Sequence, residues 1–185
     1  MPKPLLQPQG DFPVVGLGRR LAAMSKHLLK PQGNFPAVGL GRRLAAMFYD
    51  FLLCTALLIV TSGVYKMIQM AIIGEERMRT LTEAGALDGD PLLSTVLLFV
   101  LFGFFAKFWT YSGQTLGMQV WCIRVQNADG SSISLWQALL RFVVSIASLL
   151  CVGLGFFWSL FDKQKRSWHD MYSNTRLVRI PKKQK

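Results

Sequence analysis

The sequence predicts an all-α polytopic membrane protein with two full transmembrane helices, a third apolar segment that spans or re-enters, and a small extramembrane β-hairpin or sheet. Three observations predict it. Of 185 residues 51% are hydrophobic, and long uncharged apolar runs separate the charged blocks. Both ends are cationic: residues 1–47 carry seven Lys/Arg against Asp11 alone, and residues 162–185 carry eight against Asp162 and Asp170. Residues 74–91 are acidic instead, with Glu75, Glu76, Glu83, Asp88 and Asp90 against Arg77 and Arg79. That partition, within a net charge of +11, is the pattern of cytoplasmic loops around membrane segments and not of a nucleic-acid interface.

Residues 1–40 read as a basic, irregular tail kept open by Pro and Gly. The tail holds a near-duplicate: Leu5–Met24 matches Leu28–Met47 at 17 of 20 positions, at an offset of 23. Only the second copy runs on into a membrane segment, so a single tandem duplication is expected and not a repeat array. Phe48 to Tyr65 is the first spanning helix, and its apolar character continues to Ile73, enough to cross about 30 Å of hydrocarbon. Gly74 opens the acidic loop and Asp90-Pro91 closes it. Leu92–Tyr111 is the second span; Lys107 is its one charge and is expected to snorkel beside an aromatic belt of Trp109 and Tyr111.

Gly113-Gln114-Thr115-Leu116-Gly117 then breaks the helical pattern. The β-favouring run Gln119–Gln126, a turn at Asn127–Gly130 and a short return strand at Ser131–Ser134 predict a hairpin, and a third such run at Thr175–Ile180 is available to pair with it. Ser134 caps a last apolar segment reaching Phe161, interrupted at Gly153-Leu154-Gly155. Three plain crossings would put the two basic ends on opposite faces. A segment that bends at the glycines would keep them together, and both readings stand at this point. The membrane domain is thus residues 41–180, with helices at about 48–73, 92–111 and 135–161, followed by a basic tail at 181–185.

Four charged residues stand out: Arg43, Asp50, Arg141 and Asp170. Arg43 and Asp50 are seven apart, so on a helix they share a face about 10 Å apart. A carboxylate at the rim of the hydrocarbon layer needs compensation. Either Asp50 forms an interhelical ion pair with Arg141, or Asp50 is a proton or cation binding group whose occupancy competes with arginine. His169 beside Asp170 reads as a turn or helix cap. Cys54, Cys122 and Cys151 are odd in number and lack a C-x-x-C pair, so neither a disulfide framework nor a metal site is expected. No hydrolase, metalloprotease or phosphate-loop motif occurs; no cofactor and no enzymatic activity are expected.

Arg42-Arg43-Leu44-Ala45-Ala46-Met47-Phe48-Tyr49-Asp50 resembles the opening of the RDD family of small integral membrane proteins, named for one arginine and two aspartates. Gln114–Gly117 with Ile123-Arg124-Val125 and Asp129-Gly130, Gln137–Arg141, and Leu160–Asp162 through Trp168-His169-Asp170 and Thr175 are similar to later parts of the family pattern. The resemblance places the arginine on Arg43, the first aspartate on Asp50 and the second on Asp170, with Asp162 competing for the last. It implies a bacterial inner (plasma) membrane protein, and the charge bias puts its N-terminus in the cytoplasm. It also implies a subunit of a cation/proton-coupled or small-solute transporter of unknown ligand. The alternative is a non-transporting scaffold whose Arg and Asp residues are structural. With so few crossings, transport would require a homo-oligomer or a larger membrane complex in the lipid bilayer, without nucleic acid.

Overall fold

The computed structural model describes residues 35–85 and 89–181. The first copy of the duplicated stretch and the residues after 181 lie outside the described residues. Helix α1 runs Leu40–Ile73, about 51 Å at 1.5 Å per residue, so it overshoots the hydrocarbon layer. It begins earlier than the sequence suggests, because Gly41 falls in the first turn, where the backbone N–H groups have no intrahelical acceptor anyway. Gly74, at φ 81°, turns the chain into the short acidic helix α2, Glu75–Glu83. Helix α3, Pro91–Tyr111, starts on the side chain of Asp90, which accepts from the Leu92 and Leu93 N–H groups at 2.9 and 3.3 Å. The same carboxylate accepts from Tyr65 Oη and Gln69 Nε2, at 2.8 and 3.2 Å, and so ties the far ends of α1 and α3 together.

Both helices are long and apolar enough to cross a membrane. Ile59, Val60, Met67 and Phe99 point outward from them, as lipid-facing side chains do. The packed core gathers instead at the opposite end, around Val38, Trp109, Val125, Ala138 and Phe142. Trp109 belongs to this core and not to an interfacial belt; it lies under the Arg141 guanidinium, 5.3 Å from the ring centroid.

After α3 the chain makes a short helix α4, Leu116–Val120, capped by Thr115, and then strand β1, Ile123–Asn127. The expected return strand at Ser131–Ser134 does not form. Asp129 binds the Ser131 N–H and hydroxyl at 2.9 and 2.7 Å, closing a turn, while Ser134 is taken as the N-cap of helix α5, Leu135–Leu150. Gln137 completes a capping box with Ser134 and also donates to Asn127 Oδ1 at 2.8 Å. The partner of β1 is the third β-favouring run, β2, Thr175–Arg179, antiparallel with Val125 opposite Leu177. Before α1, Ala37 forms a bridge with Val178, and Arg179 N donates to Pro36 O at 3.0 Å.

That pairing decides the topology of the third apolar segment. Helix α5 stops at Leu150, Val152 and Gly153 take positive φ, and helix α6, Leu154–Phe157, with a 3-10 turn to Leu160, leaves at 109°. Helix α7, Trp168–Tyr172, then packs back on α5 and leads into β2. Both ends of the segment are tied to one sheet, as is the chain before α1. The segment therefore begins and ends at the same sheet, as a re-entrant segment does, and α1 and α3 are the two unbroken helices with the length and composition of a full crossing.

Where α4 meets α1, the fit depends on a missing side chain. A Cβ on Gly117 would run into Ala46 O and come within 2.9 Å of the Asp50 carboxyl group. Gly117→Ala is expected to lower stability in detergent by about 1–3 kcal/mol, as overpacking does. Gly103→Ala, on an open face of α3, should leave the melting temperature unchanged or slightly raised, and thermal unfolding of the two variants side by side checks the contrast.

Candidate functional site

The charged residues of α1, α5 and α7 converge beneath the sheet. Asp170 is 0% exposed and sits between two arginines: Arg43 Nη1 donates to Oδ2 and Arg141 Nη1 to Oδ1, each at 2.6 Å. Arg43 has further acceptors in Val38 O at 3.2 Å, Ser167 Oγ at 3.0 Å and Lys165 O at 2.7 Å. Arg141 also donates to Thr175 Oγ1 at 2.5 Å. Ser167, the N-cap of α7, donates both its N–H and its hydroxyl to Asp170 Oδ2, at 3.2 and 2.9 Å. One carboxylate thus joins the first helix, the re-entrant segment and the base of the C-terminal strand.

Burial alone would push the Asp170 carboxyl up, but Arg141 and Arg43 outweigh it and hold the group well below the usual carboxylate range. The adjacent His169 goes the other way: burial pushes its imidazole down to about 3 against the pull of Asp170, and the two arginines add to the shift. His169 is therefore neutral at physiological pH. Its Nε2 lies 2.9 Å from Ser167 Oγ, and since that hydroxyl donates to Asp170, the imidazole Nε2–H is the donor to it. Ser167, His169 and Asp170 have the residue types of a hydrolytic triad but not its arrangement. The carboxylate does not meet Nδ1, which has no partner, and the serine hydroxyl points at the aspartate.

Asp50 stands apart from this network, and the expected pair with Arg141 does not form. The carboxylate that pairs with Arg141 is that of Asp170 on α7, which packs against α5. Asp50, 6% exposed, accepts instead from the hydroxyl of Thr115 and from Gly117 N at 2.9 Å. No cationic side chain among the described residues lies within ion-pair distance of it. Asp162, the other carboxylate near the C-terminus, pairs with Arg166 four residues on, at 3.0 Å.

Between α1, α3 and α5 lies a cavity of about 420 Å³. Helix α3 packs on both of the others, while α1 and α5 leave a cleft between them. Cys54, Leu58, Leu98, Phe105, Ile146 and Leu149 form part of its apolar wall, and Arg43, Asp50, Arg141 and His169 its polar end. The volume lies within the range of small-molecule sites, roughly 300–1,000 Å³.

The sequence pattern and this geometry agree with a comparison to known families, in which the model of the RDD family matches residues 37–174. The chain belongs to the RDD family. No curated protein and no solved structure matches it. Arg43 and Asp50, on which the resemblance places the arginine and the first aspartate, are both buried on one side of α1. Of the two candidates for the last aspartate, Asp170 holds the arginines and Asp162 does not. The partners Thr115, Gly117, Ser167 and Thr175 are not evident as site residues in the sequence. A signal existed for Ser167, since a serine three residues before Asp170 is a capping-box spacing. For Thr115 the only sign was its place in the Gln-Thr-Leu-Gly break.

The titrations give a pH signature. The folded His169 binds its proton less readily than the unfolded one, whose ordinary value is 6.5, so stability falls as pH drops below that value. Asp170, lowered from 3.8, adds a loss that begins only as pH falls through that value. Unfolding followed between pH 7 and 4.5 should show a decline of up to about 1.4 kcal/mol per pH unit. His169→Gln should flatten that window and leave the loss below about pH 4 in place.

Proposed function

We propose that the protein is the binding subunit of a membrane transport assembly for a cation, or for a small solute coupled to a proton or cation, with Asp50 as the group that meets the ligand. The observation that carries this reading is the difference between the two buried aspartates. Asp170 has two arginines, whereas Asp50 lines the cavity with only neutral donors around it. Two of the roughly four lone-pair positions of a carboxylate are used, so Asp50 can still accept. At the depth of a bilayer rim, a carboxylate without a counter-charge calls for a proton or a cation.

The other parts then have distinct work. Arg43, Asp170 and Arg141 hold the polar end of the cavity in place, and the apolar wall admits the solute from the membrane. Two crossings are too few to enclose a path through the bilayer, so the active form is an oligomer or a larger complex. The positive-inside bias of the basic residues on the sheet side supports a cytoplasmic position for that side, and membership of the RDD family supports a bacterial inner membrane. The proposed role is binding; the Ser167–His169–Asp170 group, buried and without a triad arrangement, lends no support to a hydrolytic one. A scaffold role is the competing reading, favoured by the way the two arginines join distant segments through Asp170.

Purified protein in sealed vesicles under imposed proton or sodium gradients separates the two. With matched incorporation, wild type should carry a flux that Asp50→Asn loses while remaining folded. A flux unchanged by Asp50→Asn would remove Asp50 from the mechanism. Absence of flux from correctly inserted wild type, with Asp50→Asn chiefly lowering abundance, would favour the scaffold.

A further inference from the structure

Arg43 lines a second cavity as well, of about 240 Å³, on the sheet side of the molecule. Its wall is unlike that of the first. Arg43, Arg166, Arg176 and Gln164 supply it, closed by apolar groups that include Phe35 and Leu177, and no carboxylate is part of the lining. The three guanidinium groups are committed to different degrees. Arg43 has all three nitrogens engaged with Val38, Ser167, Lys165 and Asp170, so it contributes positive potential rather than a free donor. Arg166 meets Asp162 through Nε and Nη2, which leaves Nη1. Arg176 stands at an exposed position of β2, and neither it nor the Gln164 amide makes a side-chain hydrogen bond or ion pair to another described residue. Three sets of N–H donors therefore surround one small cavity, with Lys163 and Lys165 exposed on the same loop.

Its place in the molecule narrows the ligand further. The loop that supplies Gln164 and Arg166 follows directly on Leu160 and Phe161, which project outward at the end of the re-entrant segment. The cavity thus opens where hydrocarbon-facing chain gives way to basic chain, the level of lipid headgroups. We propose that this cavity binds a phosphate-type oxyanion, through Arg176, Arg166 and Gln164 over the positive field of Arg43. Forked guanidinium donors match the tetrahedral oxygens of phosphate, and the surrounding lysines favour its approach. The same chemistry is offered by the phosphodiester of an anionic lipid and by free phosphate. The proposal is independent of any transport through the other cavity.

The test compares wild type with R176Q and R179Q. Arg179 is exposed on the same strand but outside the cavity lining, so R179Q changes the net charge equally. Inorganic phosphate is titrated calorimetrically into protein in a neutral detergent, and retention of phosphatidylglycerol over phosphatidylcholine is read by native mass spectrometry from mixed nanodiscs. Wild type should bind at least one of the two probes, R176Q at least about fivefold more weakly, and R179Q like wild type. Binding of phosphate alone assigns the site to a free anion, and selective retention of phosphatidylglycerol alone to a lipid headgroup. Failure of wild type with both probes, or equal losses in R176Q and R179Q, would overturn the proposal. Equal melting temperatures of the three proteins guard against misfolding, and R166Q, with a loss similar to that of R176Q, serves as the second variant if R176Q melts early.

Discussion

A single carboxylate between two arginines holds this molecule together. Asp170 is wholly buried, and its ion pairs to Arg43 and Arg141 join segments separated by 127 and 29 residues of chain. Two guanidinium groups and a carboxylate removed from water are costly to assemble, and their mutual attraction does not by itself guarantee a net gain in stability. What the arrangement secures is position. Every oxygen of Asp170 is used, the remaining donors of Arg43 go to backbone and hydroxyl oxygens, and loss of one partner would strand a buried charge at a cost of about 3–5 kcal/mol. The core residues Val38, Val125 and Leu177 gather around the sheet that the same segments build.

The rest of the architecture follows from that junction. Because β2 must reach β1, and α7 must place Asp170 under α5, the third apolar segment has to fold back towards the sheet from which it starts. It turns back at Val152 and Gly153, and Gly155 lets it close up: a Cβ there would meet Ser148 and come within 2.9 Å of Trp168. With α5 held from below and α1 held by Arg43, the two helices stand apart on either side of α3, and the cavity between them is what remains. Asp50 belongs to a second, separate junction, where α4 turns its Thr115 and Gly117 donors onto α1. The division of labour between an aspartate with counter-charges and one without is a product of these two docking events.

Much of this was legible from residue types and spacing. The apolar runs mark α1 and α3, Asp90-Pro91 marks the start of α3, Ser134 marks that of α5, and the Gly153-Leu154-Gly155 break marks the bend. A hairpin alone is marginal, so the third β-favouring run marks a partner for the first, and the two pair. The failures are equally physical. Ser131–Ser134 alternates acceptably for a strand, but its serines are better spent on an Asx turn and a helix cap, and these local bonds compete with a ladder. In sequence, Arg141 and Asp50 lie near the same rim, which suggests a pair that the structure does not form. The better carboxylate was on a five-residue helix whose position depends on how the whole re-entrant segment folds back, which no local pattern encodes. The contacts of Asp50 are of the same kind, since a hydroxyl 65 residues away becomes a partner only after α4 has docked.

Asp170, Arg43 and Arg141 are expected to act as one unit. A double-mutant cycle measures this through the unfolding free energies, in mixed detergent, of Arg43→Gln, Arg141→Gln, Asp170→Asn and the two arginine–aspartate double variants. The expected result is coupling of about 0.5–3 kcal/mol in each cycle, with either single arginine change already destabilising, because the members share one buried charge balance. Effects that add to within about 0.5 kcal/mol would contradict it. They would mean that the segments are held by the sheet and core alone.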